Sequence, residues 1–306
     1  MEDQESTVIP SIQVGDWVES GVDWLTGNFR EIFRTFSDVL ETLINGLIDA
    51  LLFVPPDLMI VVLVLLGLIL RSWQFAVGSA LGLSAVVAMG MWEAAMQTLG
   101  IVVFATVVAV LIAVPIGVLA ARNRVVSNIV QPVLDFMQTM PAFVYLVPAV
   151  ILFGIGFVPG LLSTIVFALP PGVRLTELGI RQVDAETVEA GQAFGATPRQ
   201  ILRGIQLPLA TPTIMAGVNQ VIMLALSMAV IAGMAGADGL GKLIVESIAR
   251  LDVGLGAEAG LSVVVLAIYL DRLTASIGGS GSDKSLGALI RRSRGRSVAQ
   301  RVTTGI

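Results

Sequence analysis

The chain has 306 residues, 55% of them hydrophobic before its 32 glycines are counted, and only 13% charged. An ordinary soluble domain is roughly 45–50% apolar with glycine included and about 25% charged, so this chain has too few charges to cover a water-facing surface and reads as an integral membrane protein. With no cysteine and no histidine, disulfides, thiolate or imidazole metal sites, Cys–His nucleophiles and Ser-His-Asp relays are excluded.

The net charge of -5 hides an asymmetry. Residues 1–56 carry ten acidic side chains against only Arg30 and Arg34, whereas seven basic and two acidic residues lie from Asp271 onward. The acidic start has no basic n-region followed by an apolar run, so no cleavable signal peptide is read. Within this arm Phe29, Ile32, Phe33, Phe36, Leu40, Leu43, Leu47 and Leu51 recur at three- and four-residue spacing, which predicts one apolar helix stripe. It either lies on the outer membrane surface or packs against the bundle.

The apolar runs that follow predict a polytopic all-α protein with about seven transmembrane helices, each needing about 20 residues to cross roughly 30 Å. Leu58–Leu70 is short, and becomes a crossing if it starts at the Pro55-Pro56 break. Ser72–Trp92 is bounded by Trp73 and Trp92, placed as interfacial anchors. Ala94–Ala121 ends at Arg122 and Arg124. Phe136–Val173 is too long for one crossing and divides at the turn-forming cluster Gly154–Gly160. One helix then ends near Phe153 and a shorter one near Pro170-Pro171. Gly204–Ala237 is the sixth span, and Ala259–Leu270 needs Val253–Ala257 to complete a seventh. With the N-terminus outside, fourteen of the 18 basic residues face inward, as cytoplasmic loops require. The tail after Ser276 is Gly-, Ser- and Arg-rich and reads as flexible, its charges suiting lipid headgroups rather than nucleic acid.

Asp135 is the one clear ionisable residue among these spans. Near the inner end of the fourth span, it suits a carboxylate at a helix N-terminus. Without Asp, Glu or His relays inside the membrane, energy for active transport has to enter from outside it. Gly236–Lys242 fits G-x-x-x-x-G-K, but Leu243 stands where a Mg²⁺-binding Ser or Thr belongs and no strand precedes it. It reads as a glycine-rich turn, leaving the chain without an ATP site.

The long inward loop, Gly172–Leu209, far exceeds the usual two to eight residues of a helix connection. Asp184 predicts a helix cap, Gly195 a left-handed stop, and Thr197-Pro198 the start of a second short helix. Two short helices at a glycine elbow form a knob beneath the bilayer. Phe194, Ile201 and Leu202 are expected to seat it on a soluble partner, with Glu189, Arg199 and Arg203 setting register; the plainer reading is an amphipathic surface loop.

Glu189-Ala190-Gly191, three residues, Gly195, nine residues, then Ile205-Gln206-Leu207-Pro208 resembles the EAA loop of ABC importer permeases. Gly191 in place of the second Ala is the one departure. The resemblance extends to Gln138–Pro148, Phe167–Pro171, Met215–Gln220, Ala249–Gly254 and Leu270–Thr274, which are similar to the permease of glycine betaine/proline betaine importers. It covers about residues 94–274. It implies a type I ABC importer permease fold in the inner membrane of a Gram-negative-type cell, a homodimer served by two cytoplasmic ATPase subunits and a separate periplasmic binding protein. ATP and Mg would then sit on the ATPase, with no cofactor and no enzyme activity on this chain.

The corresponding division is an extracytoplasmic arm (1–56), two leading helices (57–93), a permease core (94–274) with its coupling loop (172–209), and a cytoplasmic tail (275–306). The coupling residues are Glu189, Ala190, Gly191, Gly195, Thr197, Pro198, Arg199, Ile205, Leu207 and Pro208. For the path, Phe136, Phe143, Tyr145, Asn219 and Met223 are candidates, each also explicable as helix packing. Choline, carnitine and trimethylamine N-oxide are alternative substrates. An ATPase-independent channel or a membrane scaffold is the more distant alternative.

Overall fold

The structure, a computed structural model, describes residues 14–277, and all regular structure within them is helical. The helices are α1 (Val14–Phe53), α2 (Pro56–Leu70), α3 (Trp73–Ala88), α4 (Trp92–Arg122), α5 (Arg124–Thr139), α6 (Leu146–Phe153), α7 (Phe157–Arg181), α8 (Ala185–Ala193), α9 (Pro198–Ile201), α10 (Leu207–Ala232), α11 (Leu240–Arg250) and α12 (Val253–Ile277). The extreme N-terminal residues of the acidic arm, and the tail from residue 278, lie outside the described residues.

The centre is built on small residues. A Cβ on Gly117 of α4 would lie 2.6 Å from Thr176 Cβ, and one on Gly172 of α7 would lie 2.9 Å from Ala113 and 3.1 Å from Val221. Backbones of α4, α7 and α10 therefore approach more closely than larger side chains permit, the usual basis of helix packing where lipid removes the hydrophobic drive. Of the spans, α7 is the most enclosed, 67% buried along its apolar stretch against 39% for α4 and 28% for α12.

The amphipathic arm packs on this bundle instead of only lying on the membrane. Ile44 and Ile48 are buried, and Phe33 meets Phe153 of α6 edge-on at 5.5 Å. The leading helices α2 and α3 form a hairpin turned at Arg71-Ser72, with Ser72 capping α3. The hairpin leans on α12: Tyr269 donates its hydroxyl to the Leu63 carbonyl at 2.9 Å and stacks on Phe75 at 5.7 Å. Trp73 is exposed as an anchor would be, but Trp92 is only 8% exposed and belongs to the core.

All seven expected apolar runs are helical, yet not all make straight crossings. Four helices are long and apolar enough alone: α4, α7, the rod Pro198–Ala235 and α12. Counting the bent pairs α1–α2 (100°) and α5–α6 (109°) as one broken span each gives six. At 15, 16 and 8 residues, α2, α3 and α6 are each too short to cover about 30 Å at 1.5 Å per residue.

Three boundaries differ from the sequence reading. The expected fourth span is broken at Met140-Pro141, where an amphipathic α5 meets a 3₁₀ turn (Ala142–Tyr145) and α6. Pro170 and Pro171 do not end α7, which runs on to Arg181. Each proline removes one backbone hydrogen bond, but neighbouring helices hold such interruptions in membrane proteins, and both prolines are buried. The loop that the sequence reading placed inward thus starts at Gln182, ten residues later than expected. The second loop helix is also not separate: α9 passes through a π turn (Leu202–Gln206) into α10. Gly236–Lys242 is a turn as expected, but it opens into α11, an amphipathic helix the sequence reading missed. There the Leu240 N–H donates to Thr98 Oγ1 of α4 at 2.8 Å.

Candidate coupling and translocation sites

The elbow between α8 and α9 follows from local chemistry. Asp184 accepts a hydrogen bond from the Glu186 N–H at 2.7 Å and starts α8. Gly195 stops it at φ +78°, with Gly195 N–H donating to the Gln192 carbonyl at 2.8 Å and Ala196 N–H to Gly191 at 3.1 Å. That pair is a Schellman stop, and its left-handed residue favours glycine. Thr197 then donates its backbone N–H and its hydroxyl to Gln200 Oε1, both at 2.8 Å, with Pro198 in the first helical position.

On this knob Glu189, Ala190, Gly195, Thr197, Pro198, Arg199, Arg203 and Pro208 are exposed. Phe194, at the turn, is 92% exposed. Ile201 and Leu202 are buried, contrary to the docking role expected of them. Leu202 joins Ile180 and Ala210, with Leu207 packed against them. Gly191 faces inward as well, where a Cβ would meet Ile205 Cδ1 at 2.6 Å and Ile201 Cγ1 at 3.6 Å. The departure from the EAA pattern therefore makes room for Ile205, which has to shift if alanine stands there. Behind α8 lies a cleft of about 390 Å³ lined by Arg181, Val188, Glu189, Gln192 and Gln206 among others.

Arg181 also borders a second, larger cleft of about 620 Å³ between α5, α7 and α10. Its guanidinium contacts the buried Glu177 carboxylate at 2.8 Å and donates to the Ala120 carbonyl at 2.9 Å. Ser127 of α5 donates to the same Glu177 oxygen at 2.7 Å. One carboxylate thus ties α5 to α7, and Arg181 ties α7 to the end of α4, directly beside the α8–α9 knob. Nearby, Arg174 pairs with Asp135. Asp135 lies in the last turns of α5, not at a helix N-terminus, so this arginine, and not the helix dipole, is its partner.

The five path candidates divide. Phe136, Phe143 and Met223 are 65%, 49% and 42% exposed. Tyr145 instead bridges the α5–α6 break, donating its hydroxyl to the Met137 carbonyl and meeting Phe167 edge-on at 5.8 Å. Asn219 is occupied by α12: it donates to Asp271 Oδ1 and accepts from Thr274 Oγ1, each at 2.8 Å. Sequence reasoning missed Ser127, Arg174, Glu177 and Arg181. The last three share one helix face at spacings of three and four, a signal hidden once the double proline is taken as the helix end.

The described residues thus form an all-helical bundle of apolar spans from which an exposed, elbowed knob projects. Residues 113–278 match the family described as binding-protein-dependent transport system inner membrane component. The chain is 47% identical over 272 residues to the glycine betaine/proline betaine transport system permease protein ProW of Escherichia coli, covering 89% of this chain and 76% of that one. It is 43% identical over 269 residues to the glycine betaine transport system permease protein OpuAB of Bacillus subtilis, covering 88% and 95%. A trimethylamine N-oxide transport system permease protein of Ruegeria pomeroyi is 38% identical over 68% of this chain and 32% of its own. Among solved structures, the inward-facing MetNI methionine ABC transporter gives a TM-score of 0.57 at 21% identity, covering 61% of this chain and 94% of that one. That likeness is one of fold, the type I permease fold.

The chain belongs to this family of ABC importer permeases, multi-pass subunits of the inner membrane. In that family ATP is hydrolysed by a separate subunit.

Proposed function

We propose that this chain is the permease through which an ATP-driven importer moves glycine betaine or a related quaternary-ammonium solute. The observation that carries the reading is the 47% identity to a glycine betaine/proline betaine permease over nearly the whole chain. The elbowed α8–α9 knob supports the mechanism. Two copies of this chain pair, two ATPase subunits dock from the cytoplasm on Glu189–Pro208, and a soluble binding protein delivers solute from outside. The N-terminus faces out and the C-terminus in, an orientation supported by the inward bias of Arg and Lys. ATP and Mg belong to the ATPase, and this chain holds no cofactor.

Nucleotide-driven closure of the ATPases moves the knob. Through the π turn it turns α10, and through Arg181 and Glu177 it shifts α7 and α5, opening the cavity outward; hydrolysis resets it. Carnitine, choline and trimethylamine N-oxide form a second reading of the substrate, favoured by the 38% identical trimethylamine N-oxide permease. The test is uptake by proteoliposomes holding permease, ATPase and binding protein. ATP-dependent accumulation of glycine betaine is expected. Accumulation of only one of the other solutes overturns the substrate assignment, and uptake without nucleotide overturns the class.

A further inference from the structure

Within the described bundle, the cleft of about 620 Å³ sets polar side chains, Gln131, Asp135, Gln138, Arg174 and Gln220 with Glu177 alongside, in a wall that also carries Pro171, Leu175 and Leu178. Its volume suits a small-molecule site, which typically spans roughly 300–1,000 Å³. Ionisable side chains inside a membrane bundle are costly and mark solute pathways when they face a cavity. Glu177 is buried and already held by Ser127 and Arg181. The Arg174–Asp135 pair is different, because its side chains are 39% and 65% exposed. Such a solvent-exposed pair is weak, so a solute can separate it. Asp135 also leaves the guanidinium incompletely used, since Arg174 Nε is buried without a hydrogen-bond partner.

We propose that Asp135 and Arg174 form a zwitterion-binding site on the path through the permease, taking a small solute that carries one carboxylate and one onium group. This rests on the betaine reading given above. The solute inserts into the ion pair, its carboxylate on the Arg174 guanidinium and its onium group against the Asp135 carboxylate. Both side chains keep an opposite charge throughout, and no net charge is added to the cleft. A cation without a carboxylate would pair with Asp135 but displace Arg174 from it without offering the guanidinium a new partner, so it gains only one of the two charge-assisted contacts. Because the solute competes with an existing pair, binding is weak, as a conduit requires for release.

The experiment measures binding of radiolabelled glycine betaine and of choline to the purified permease–ATPase complex, without binding protein, by equilibrium dialysis. Charged hydrogen bonds contribute about 1.5–3 kcal/mol, so Arg174→Gln is expected to weaken glycine betaine by about tenfold or more. Choline should bind that variant no more weakly than wild type, because Asp135 is freed. Asp135→Asn should weaken both. If Arg174→Gln fails to assemble, Arg174→Lys tests the same split, with glycine betaine weakened and choline unchanged. Equal weakening of both probes in the Arg174 variant would mean that the pair only holds α5 to α7, and overturns the proposal. So does a wild-type complex that binds neither probe while transporting glycine betaine with its binding protein. Failure of wild-type transport itself would instead sink the betaine reading.

Discussion

Two side chains at or near the α8–α9 knob are expected to behave oppositely on mutation. Phe194 is 92% exposed on the turn of the knob, so Phe194→Ala should alter thermal stability by no more than about 0.5 kcal/mol. Under the proposed docking, in which Phe194 serves as an aromatic anchor for the ATPase, the same change should nevertheless cost about 2 kcal/mol or more of binding. Loss of the ATPase on copurification, with an unchanged melting temperature, is the expected result; full retention contradicts the docking role. Glu177 is the reverse case. It is buried and receives both Ser127 and Arg181, so Glu177→Ala leaves polar groups unpaired and should destabilise the protein by about 1–3 kcal/mol. Arg181, 42% exposed, recovers part of the loss from solvent. A thermal melt of the purified protein measures this, and an unshifted midpoint would show that the carboxylate does not hold α5 to α7. Glu177 was illegible in sequence because a buried acid looks like any loop acid once the helix is taken to stop at Pro171.

Among elements, the π turn between α9 and α10 carries the most specific expectation. One extra residue is accommodated at Leu202–Gln206, and such turns concentrate at functional sites. Gly204 is exposed with open space where a Cβ would lie. Deleting it should remove the π turn and make α9 and α10 one continuous α-helix, with the segments on either side keeping their present faces because the bulge is what absorbs the extra residue. The variant should still reach the membrane, but uptake should fall away from ATP hydrolysis; normal coupled uptake would show that the turn is passive. This turn also shows where sequence reading runs out. Apolar runs such as Ala94–Ala121 and Gly204–Ala237 were legible because lipid demands length and apolarity together. A single-residue insertion leaves that pattern intact. The prolines of α7 misled because neighbouring helices in a membrane tolerate them. The elbow between α8 and α9 was legible, since Asp184, Gly195 and Thr197-Pro198 act through their own backbone chemistry. That Asn219 is tied to Asp271 and Thr274 was not legible, because only the fold brings α10 and α12 together there.

For the whole molecule, the proposed mechanism is that of a passive gate worked from the cytoplasm through one exposed knob. The chain has no cysteine, so a single Ala190→Cys variant can be labelled without background. Ala190 is exposed on α8. A membrane-impermeant maleimide applied to sealed vesicles of known orientation should label it only from the cytoplasmic face, and bound ATPase should protect it. Labelling from the outer face would place the knob beyond the reach of any cytoplasmic motor and contradict the account.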